Sequence, residues 1–253
     1  MKLITWNLNG LEDKHLDVRT EAAMFQILLG APIEDAMVEG FKPNTPDIIL
    51  LQEVVERTFH AHVKPHLSAA GFTIYPEEPS ERSYFEVIAV RQPKTAQPEI
   101  KHTPIIESSY QTFEYTDQGR GLSTITIDGL TIMTAHMESM KPGKSMRIDQ
   151  AKSILEIMNQ CSTPCVFAGD TNLRKAEWES LNPDKVTDAW QSAGSPKKHR
   201  MTWERHPYKS RYDRVWMQGL TIKSFETFGT KQISAIKERP SDHRGIRVEF
   251  DHL

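Results

Sequence analysis

Along this chain, short apolar runs end abruptly in small polar clusters, and many of these runs have the length and β-branched or aromatic content of strands. They span residues 3–6, 48–52, 72–75, 85–90, 123–127, 130–136, 165–168, 214–217 and 245–250. Asp128-Gly129 separates two of them by the two residues that a type I′ hairpin turn favours, so antiparallel pairing is expected there. A 3.6-residue period takes over at 145–161, where Ile148, Ala151, Ile154, Leu155 and Met158 form one apolar stripe and Ser145 is the expected N-cap. A second helix is predicted over 18–29, with Ala22, Phe25, Leu28 and Leu29 inward and Gly30 as its stop. A third stretch after Glu53 spaces Phe59, Val63 and Leu67 by four, but Pro65 should break or restart it. Residues 31–46 show no clear period, and the Pro- and charge-rich stretches 76–82, 93–104 and 195–211 read as loops.

Strands alternating with helices, with at least one hairpin, predict an α/β fold of two packed sheets flanked by helices. The chain of 253 residues and 29.0 kDa is long enough for a large core, and one domain over 1–253 is expected because the polar clusters run from residue 5 to residue 243. Its 38% hydrophobic and 26% charged residues suit a soluble globular protein, and no apolar run is long enough to span a bilayer. A net charge of -3 excludes a uniformly basic coat but not a local basic rim. Lys197-Lys198-His199-Arg200 and Lys209-Ser210-Arg211 read either as such a rim or as solvated loops. The first strand begins at once, leaving no room for a signal peptide, so a cytoplasmic location is expected. Cys161 and Cys165 have no histidine pair to complete a zinc set and are expected to be reduced thiols.

The clusters carry the chemistry. Glu53 in Leu51-Gln52-Glu53 should emerge at a strand end, either as a hard ligand for Mg²⁺ or as a solvated carboxylate. In Gly169-Asp170-Thr171-Asn172 the glycine is expected to permit a turn that delivers two polar groups. Asp170 then acts as proton acceptor and Asn172 as a holder of water or phosphate, or else Asp170 closes an Asx turn. His243 in Ser241-Asp242-His243 could stabilise a pentavalent phosphate if Asp213 held its other nitrogen; alternatively Asp213 pairs with Arg211 or Arg214. His136 closes the run 130–135, where a structural role competes with phosphate contact.

Asn7 in Thr5-Trp6-Asn7, Glu53, His136, Gly169-Asp170-Thr171-Asn172 and Ser241-Asp242-His243, in this order over the whole chain, resemble the endonuclease/exonuclease/phosphatase superfamily. That resemblance implies a four-layer α/β sandwich like deoxyribonuclease I: two mixed β-sheets flanked by helices. Leu3-Ile4-Thr5-Trp6-Asn7, Asp188-Ala189-Trp190, Thr202-Trp203 and Tyr212-Asp213-Arg214 resemble the branch that removes tyrosine from DNA 5′ ends. Carried over, Glu53 binds Mg²⁺, with Mn²⁺ as a possible substitute, and Asn7 orients water or the metal shell. Asp170 with Asn172 activates the water, Asp242 completes the outer metal shell, and His136 and His243 clamp the phosphate. Arg120 and Trp203, expected to pair as cation and indole, flank the scissile bond with Tyr84 on the leaving-group path. Two positions depart from the pattern. Asn9 stands where the family has an aspartate, removing a charge near the metal, and Glu86 replaces a neutral residue and is expected either to orient His136 or to be a solvated strand residue. Animal relatives carry an additional N-terminal ubiquitin-binding region, which this chain is expected to lack.

The expected function is Mg²⁺-dependent hydrolysis of 5′-phosphotyrosyl bonds, with DNA ends or single-stranded 5′ termini as partner, by a monomer with no membrane role. The alternatives are a less selective nuclease or small-phosphoester hydrolase of the same superfamily, and a catalytically weak nucleic-acid-binding protein.

Overall fold

The computed structural model describes residues 1–39, 45–79, 81–91, 107–181 and 183–251. Its first half runs β1 (Lys2–Asn7), α1 (Leu16–Leu29), α2 (Ile33–Glu39), β2 (Ile48–Val54), α3 (Glu56–Thr58), a π-helical turn (Phe59–Val63), α4 (Lys64–Ala69), β3 (Phe72–Tyr75), β4 (Phe85–Arg91) and β5 (Glu107–Thr112). There follow β6 (Gly121–Ile127), β7 (Leu130–Ala135), α5 (Lys144–Gln160), β8 (Cys165–Asp170), α6 (Lys175–Glu179), β9 (Thr187–Asp188) and α7 (Ala189–Ser192). Strands β10 (Trp203–Arg205), β11 (Tyr208–Ser210), β12 (Asp213–Gln218), β13 (Ile222–Phe228) and β14 (Gly245–Phe250) complete it.

Two six-stranded sheets have the orders β13-β14-β1-β2-β4-β3 and β5-β6-β7-β8-β12-β9. Each has one parallel pair at its centre, β1 with β2 and β7 with β8, and antiparallel neighbours elsewhere. The arrangement is a pseudo-repeat, because β1 lies between parallel β2 and antiparallel β14 as β8 lies between parallel β7 and antiparallel β12. C-terminal ends of the central parallel strands and N-terminal ends of β12 and β14 therefore meet at one rim.

Strand alternation builds four layers. Leu3, Ile48, Leu50, Ile132, Val166, Ala168, Val215 and Val248 fill the space between the sheets. The opposite phase of the first sheet, Ile4, Trp6, Ile49 and Leu51, packs on Ala23, Met24 and Ile27 of α1 and on Phe59, Val63 and Leu67. Met133, Phe167 and Trp216 of the second sheet cover Ala151, Ile154 and Met158 of α5. Toward the rim the inner phase turns polar: Leu3 leads to Thr5 and Asn7, Leu50 to Gln52, Ile132 to Thr134 and His136, and Ala168 to Asp170. Gln52 Nε2 donates to Thr5 Oγ1 at 3.1 Å and, across the sheets, to Thr134 Oγ1 at 2.9 Å.

Several expectations shift. The Asp128-Gly129 turn is as anticipated, with φ of 48° and 76° joining β6 to β7. Gly30 caps α1 at φ 78°, but α1 buries Ala23, Met24, Gln26 and Ile27 while Ala22, Phe25, Leu28 and Leu29 are only half-buried; the true face includes polar Arg19, Thr20 and Gln26, which an apolar count passes over. Gly143, not Ser145, caps α5. Pro65 does not end its helix, because the chain widens into the π-turn, closed by Lys64 N–H on the Phe59 carbonyl, and Pro65 then sits in the first turn of α4, where its missing N–H is tolerated. The segment 195–211 contains a short 3₁₀ turn and the β10–β11 hairpin, and 93–104 lies outside the described residues. Strands β5 and β13 carry too many polar residues to announce themselves.

Gly169 also serves a purpose other than the expected turn. It lies within β8, and a Cβ there would meet the Ala135 carbonyl oxygen at 2.4 Å, so the glycine permits close approach of β7. Gly169→Ala should cost about 1–3 kcal/mol of stability by overpacking, read as a lower midpoint in urea unfolding; an unchanged midpoint would contradict this packing.

Candidate active site

The rim gathers its groups around Asp170. Asn7 Nδ2 donates to Asp170 Oδ2 at 3.0 Å and to Glu53 Oε1 at 3.1 Å, bridging carboxylates from the two sheets. Its orientation is fixed, since Asn7 Oδ1 accepts the Asn9 N–H at 2.9 Å and the amide nitrogen must face the acids. Asp170 divides its oxygens: Oδ1 accepts the Asn172 N–H at 2.9 Å, while Oδ2 faces Asn7, His136 Nε2 at 3.5 Å and His243 Nε2 at 3.7 Å. The Asx turn is thus formed by one oxygen, and the other points into the site. Asn9 and Asn172 both adopt φ 51°, so Asn7-Leu8-Asn9 and Asp170-Thr171-Asn172 repeat one local device on the two sheets. Asn172 Nδ2 donates to the Met137 carbonyl at 3.2 Å.

Glu53 reaches the site through an irregularity in β2, whose register against β4 shifts between Leu51 and Val54. Its φ is 52°, and Gly10 lies over its carbonyl so closely that a Cβ would stand 2.1 Å from that oxygen. Burial raises the Glu53 carboxyl above its usual range, partly offset by the Asn7 hydrogen bond, with Asp242 adding to the rise.

His136 follows β7 and bridges to Asp170. Its Nδ1 stands 2.8 Å from Arg120 Nη1, and because a guanidinium only donates, Nδ1 accepts and the proton resides on Nε2. Burial, then Arg120, hold His136 well below the ordinary histidine value, consistent with a neutral ring. Gln118 Oε1 accepts from Arg120 Nε at 3.2 Å and Nη2 at 2.9 Å and so locks the fork; no periodicity in its loop signalled this residue. Two expected contacts are replaced. Arg120 lies over the Tyr84 ring at 4.9 Å instead of pairing with Trp203, because its loop enters from the β5–β6 side. Glu86 pairs with Arg82 at 2.8 Å instead of orienting His136, whose Nδ1 is already taken.

The third wall is 241–243. Ser241 Oγ donates to the Asn7 carbonyl at 2.7 Å, Trp6 Nε1 to the His243 carbonyl at 3.1 Å, and buried Arg19 Nη1 to the Pro240 carbonyl at 3.2 Å. Trp203 bridges His243 through its backbone and donates Nε1 to Asp242 Oδ2 at 2.9 Å. Asp242 and Asn9 share a hollow of about 290 Å³ that Glu53 does not line. Glu204 accepts from Lys209, Arg239 and Arg244, which commits Lys209 of the expected basic rim. Asp213 Oδ2 stands 2.8 Å from His243 Nδ1, while Asp188 receives Arg211 and Arg214. Burial alone would depress His243, but Asp213 and Asp170 reverse this and raise it to about 10. Burial raises Asp170, to about 7, against the pull of His243 and Asn7.

Ligand atoms of Asp170, Asp213 and His243 lie within 4.8 Å of one another. The short Asp213 contact, with His243 raised by Asp213 and Asp170, suits that trio to holding a proton. Glu53, an oxygen donor whose charged form is disfavoured by burial and which has no Lys or Arg ion-pair partner among the described residues, is the better fit for a divalent ion. Cys161 and Cys165 are free thiols remote from this chemistry, and burial pushes Cys165 up to about 12.

Raised above its ordinary 6.5, His243 contributes stability to the metal-free protein fully below that value and loses it as pH rises through about 10. Urea unfolding of the metal-free protein should therefore show stability falling across that window, with a shallower fall in Asp213→Asn. The same slope in both proteins would contradict the pairing.

The Endonuclease/Exonuclease/phosphatase family profile matches residues 4–243. Tyrosyl-DNA phosphodiesterase 2 of Mus musculus is 30% identical over 267 residues, covering 97% of this chain and 65% of that protein, so the chain spans just under two thirds of that relative's length. The crystal structure of truncated Caenorhabditis elegans TDP2 superposes with a TM-score of 0.77 at 27% identity, covering 98% of this chain and 96% of that one. The structure of D. rerio TDP2 complexed with single strand DNA product shares the fold, with a TM-score of 0.78, 24% identity, and 100% and 99% of the two chains covered. With its motifs in order across both sheets and its profile matched almost end to end, the chain belongs to the endonuclease/exonuclease/phosphatase family.

Proposed function

We propose that the chain is a Mg²⁺-dependent phosphodiesterase, also served by Mn²⁺, that hydrolyses 5′-phosphotyrosyl bonds at DNA ends. The observation that carries this is the Asn7 amide bridging Glu53 and Asp170, with His136 and His243 both facing Asp170 Oδ2. The names of the mouse and nematode relatives support the bond cleaved, and the D. rerio complex supports a DNA strand as substrate. We read residues 1–253 as one catalytic domain, a reading supported by the meeting of Asn7 and His243 at one rim.

Glu53 would hold the ion, with Asp242 and Asn9 on the wall beside it, and the ion supplies neutralisation of phosphate charge. Asp170, near 7, is suited to take a proton from the attacking water, which Asn172 holds through Oδ1. His136 offers its Nε2 proton and His243 its imidazolium to the phosphate oxygens. Arg120, lying on Tyr84, faces the charge that develops on the departing phenolate, whose pKa of about 10 removes the need for a strong general acid. A second reading, a less selective phosphoester hydrolase, is favoured by one contact: the Trp203 indole N–H is tied to Asp242, as a purely structural tryptophan would be.

On a 5′-phosphotyrosyl oligonucleotide, Asp170→Asn should lower kcat by about 10²–10⁴-fold and a chelator should abolish turnover. Trp203→Ala should lower kcat/KM by about tenfold under the first reading, a factor that corresponds to one lost interaction. No effect of Trp203→Ala would favour the second. Cleavage of plain DNA without tyrosine release would overturn the substrate assignment.

A further inference from the structure

Beside the site, at the open edge of the sandwich, β4, β5 and β6 enclose a slot of about 240 Å³. Tyr75, Ile88 and Ile125 give it apolar walls, and Ser108 and Ser123 line it from the second sheet. Glu86 also lines it, with a side chain that is 0% exposed. Its Oε2 accepts from Arg82 Nη2 at 2.8 Å, but among the described residues Oε1 has no hydrogen-bond partner. A buried acceptor without a donor costs about 1–3 kcal/mol, so a built cavity around one is organised for a donor from outside.

The slot adjoins the reaction centre. Arg82 stacks on Tyr110 at 4.1 Å, the Tyr110 hydroxyl donates to the Gly119 carbonyl at 3.3 Å, and the next residue is Arg120. Tyr84 is 5.9 Å from the His136 ring and lies just ahead of β4, two residues before Glu86, so at most about 7 Å of backbone separates the two.

We propose that this slot receives one unstacked base of the strand whose 5′ end occupies the site, and that Glu86 Oε1 accepts a hydrogen bond from that base's exocyclic amino group. The inference rests on the functional reading above and adds a substrate preference to it. Three properties favour a base over other ligands. The volume is below the roughly 300–1,000 Å³ of drug-sized sites and suits a single ring system. Apolar walls suit a π-face, as in pockets that read extruded bases. Arg82 neutralises the other carboxylate oxygen, so a neutral N–H donor fits better than an ammonium ion. Because a carboxylate only accepts, the slot distinguishes cytosine, which presents N4–H₂, from uracil of nearly the same shape, which presents O4.

The test is a set of 5′-phosphotyrosyl oligonucleotides carrying cytosine or uracil at each of the first few positions. At one position the unaltered protein should favour cytosine about tenfold in kcat/KM. In Glu86→Gln the amide oxygen must face Arg82, so the NH₂ faces the slot and the preference should move to uracil. Ser108→Phe, on the exposed strand β5, should fill the slot and erase the preference while both substrates are still cut; it serves if Glu86→Gln fails to fold. Cytidine should raise the thermal midpoint more than uridine, with the order reversed in Glu86→Gln, a readout that needs no turnover. Equal cleavage of cytosine and uracil substrates at every position by the unaltered protein would overturn the slot assignment and leave the proposed reaction standing. Absence of tyrosine release from every substrate, with the nucleoside order intact, would overturn the reaction and retain the slot.

Discussion

A single carboxylate oxygen, Asp170 Oδ2, governs this structure. It is buried between two sheets, where an unpaired charge would cost several kcal/mol, and it must be satisfied by groups that cannot come from its own strand. Asn7 from the first sheet and His136 and His243 from segments on either side answer it. Everything that holds those groups follows: Asn9 fixes the Asn7 amide, Arg120 and Gln118 set the His136 tautomer, and Asp213 keeps His243 protonated. The chemistry and the closure of the sandwich are therefore one problem. Burial that raises Asp170 toward neutrality also gives it the proton affinity of a general base.

The strands that carry the site were legible because their inner phase is apolar until the last one or two positions, so that each polar cluster stands out against its run. Asn7, Glu53, His136 and Asp170 announced themselves this way, and Asp213 and His243 at the starts of their strands; Asn7, His136 and His243 contact Asp170 directly, Glu53 joins through Asn7 and His136, and Asp213 through His243. Residues on irregular loops did not. Gln118 has no repeat or turn chemistry to mark it, and the Arg120 partner is decided by the direction from which a loop enters, which no local pattern encodes. The same limit explains Glu86, whose position in β4 was evident but whose partner, Arg82, lies beyond the strand start.

Polar edge strands were invisible for a different reason. Every residue of β5 is exposed, so alternation had nothing to alternate, and its place follows only from pairing with β6. On α1 the buried face uses Arg19, Thr20 and Gln26, and Arg19 is matched by partners outside the helix: its guanidinium donates to the carbonyls of Leu8, Asn9, Glu12 and Pro240. Hydropathy reads transfer from water and is silent about a guanidinium that gathers two loops.

The twin Asx turns at Asn7 and Asp170 have a mechanical implication. Each turn is rigid and each is clamped to its own sheet, so the separation of Asn7 from Asp170 cannot be adjusted locally. It is set instead by the thickness of the apolar filling between the sheets, about 10 Å in such sandwiches. Leu3, Ile132, Ala168 and Val248, although they meet no substrate, act as the shims of a calliper whose jaws are the two polar turns.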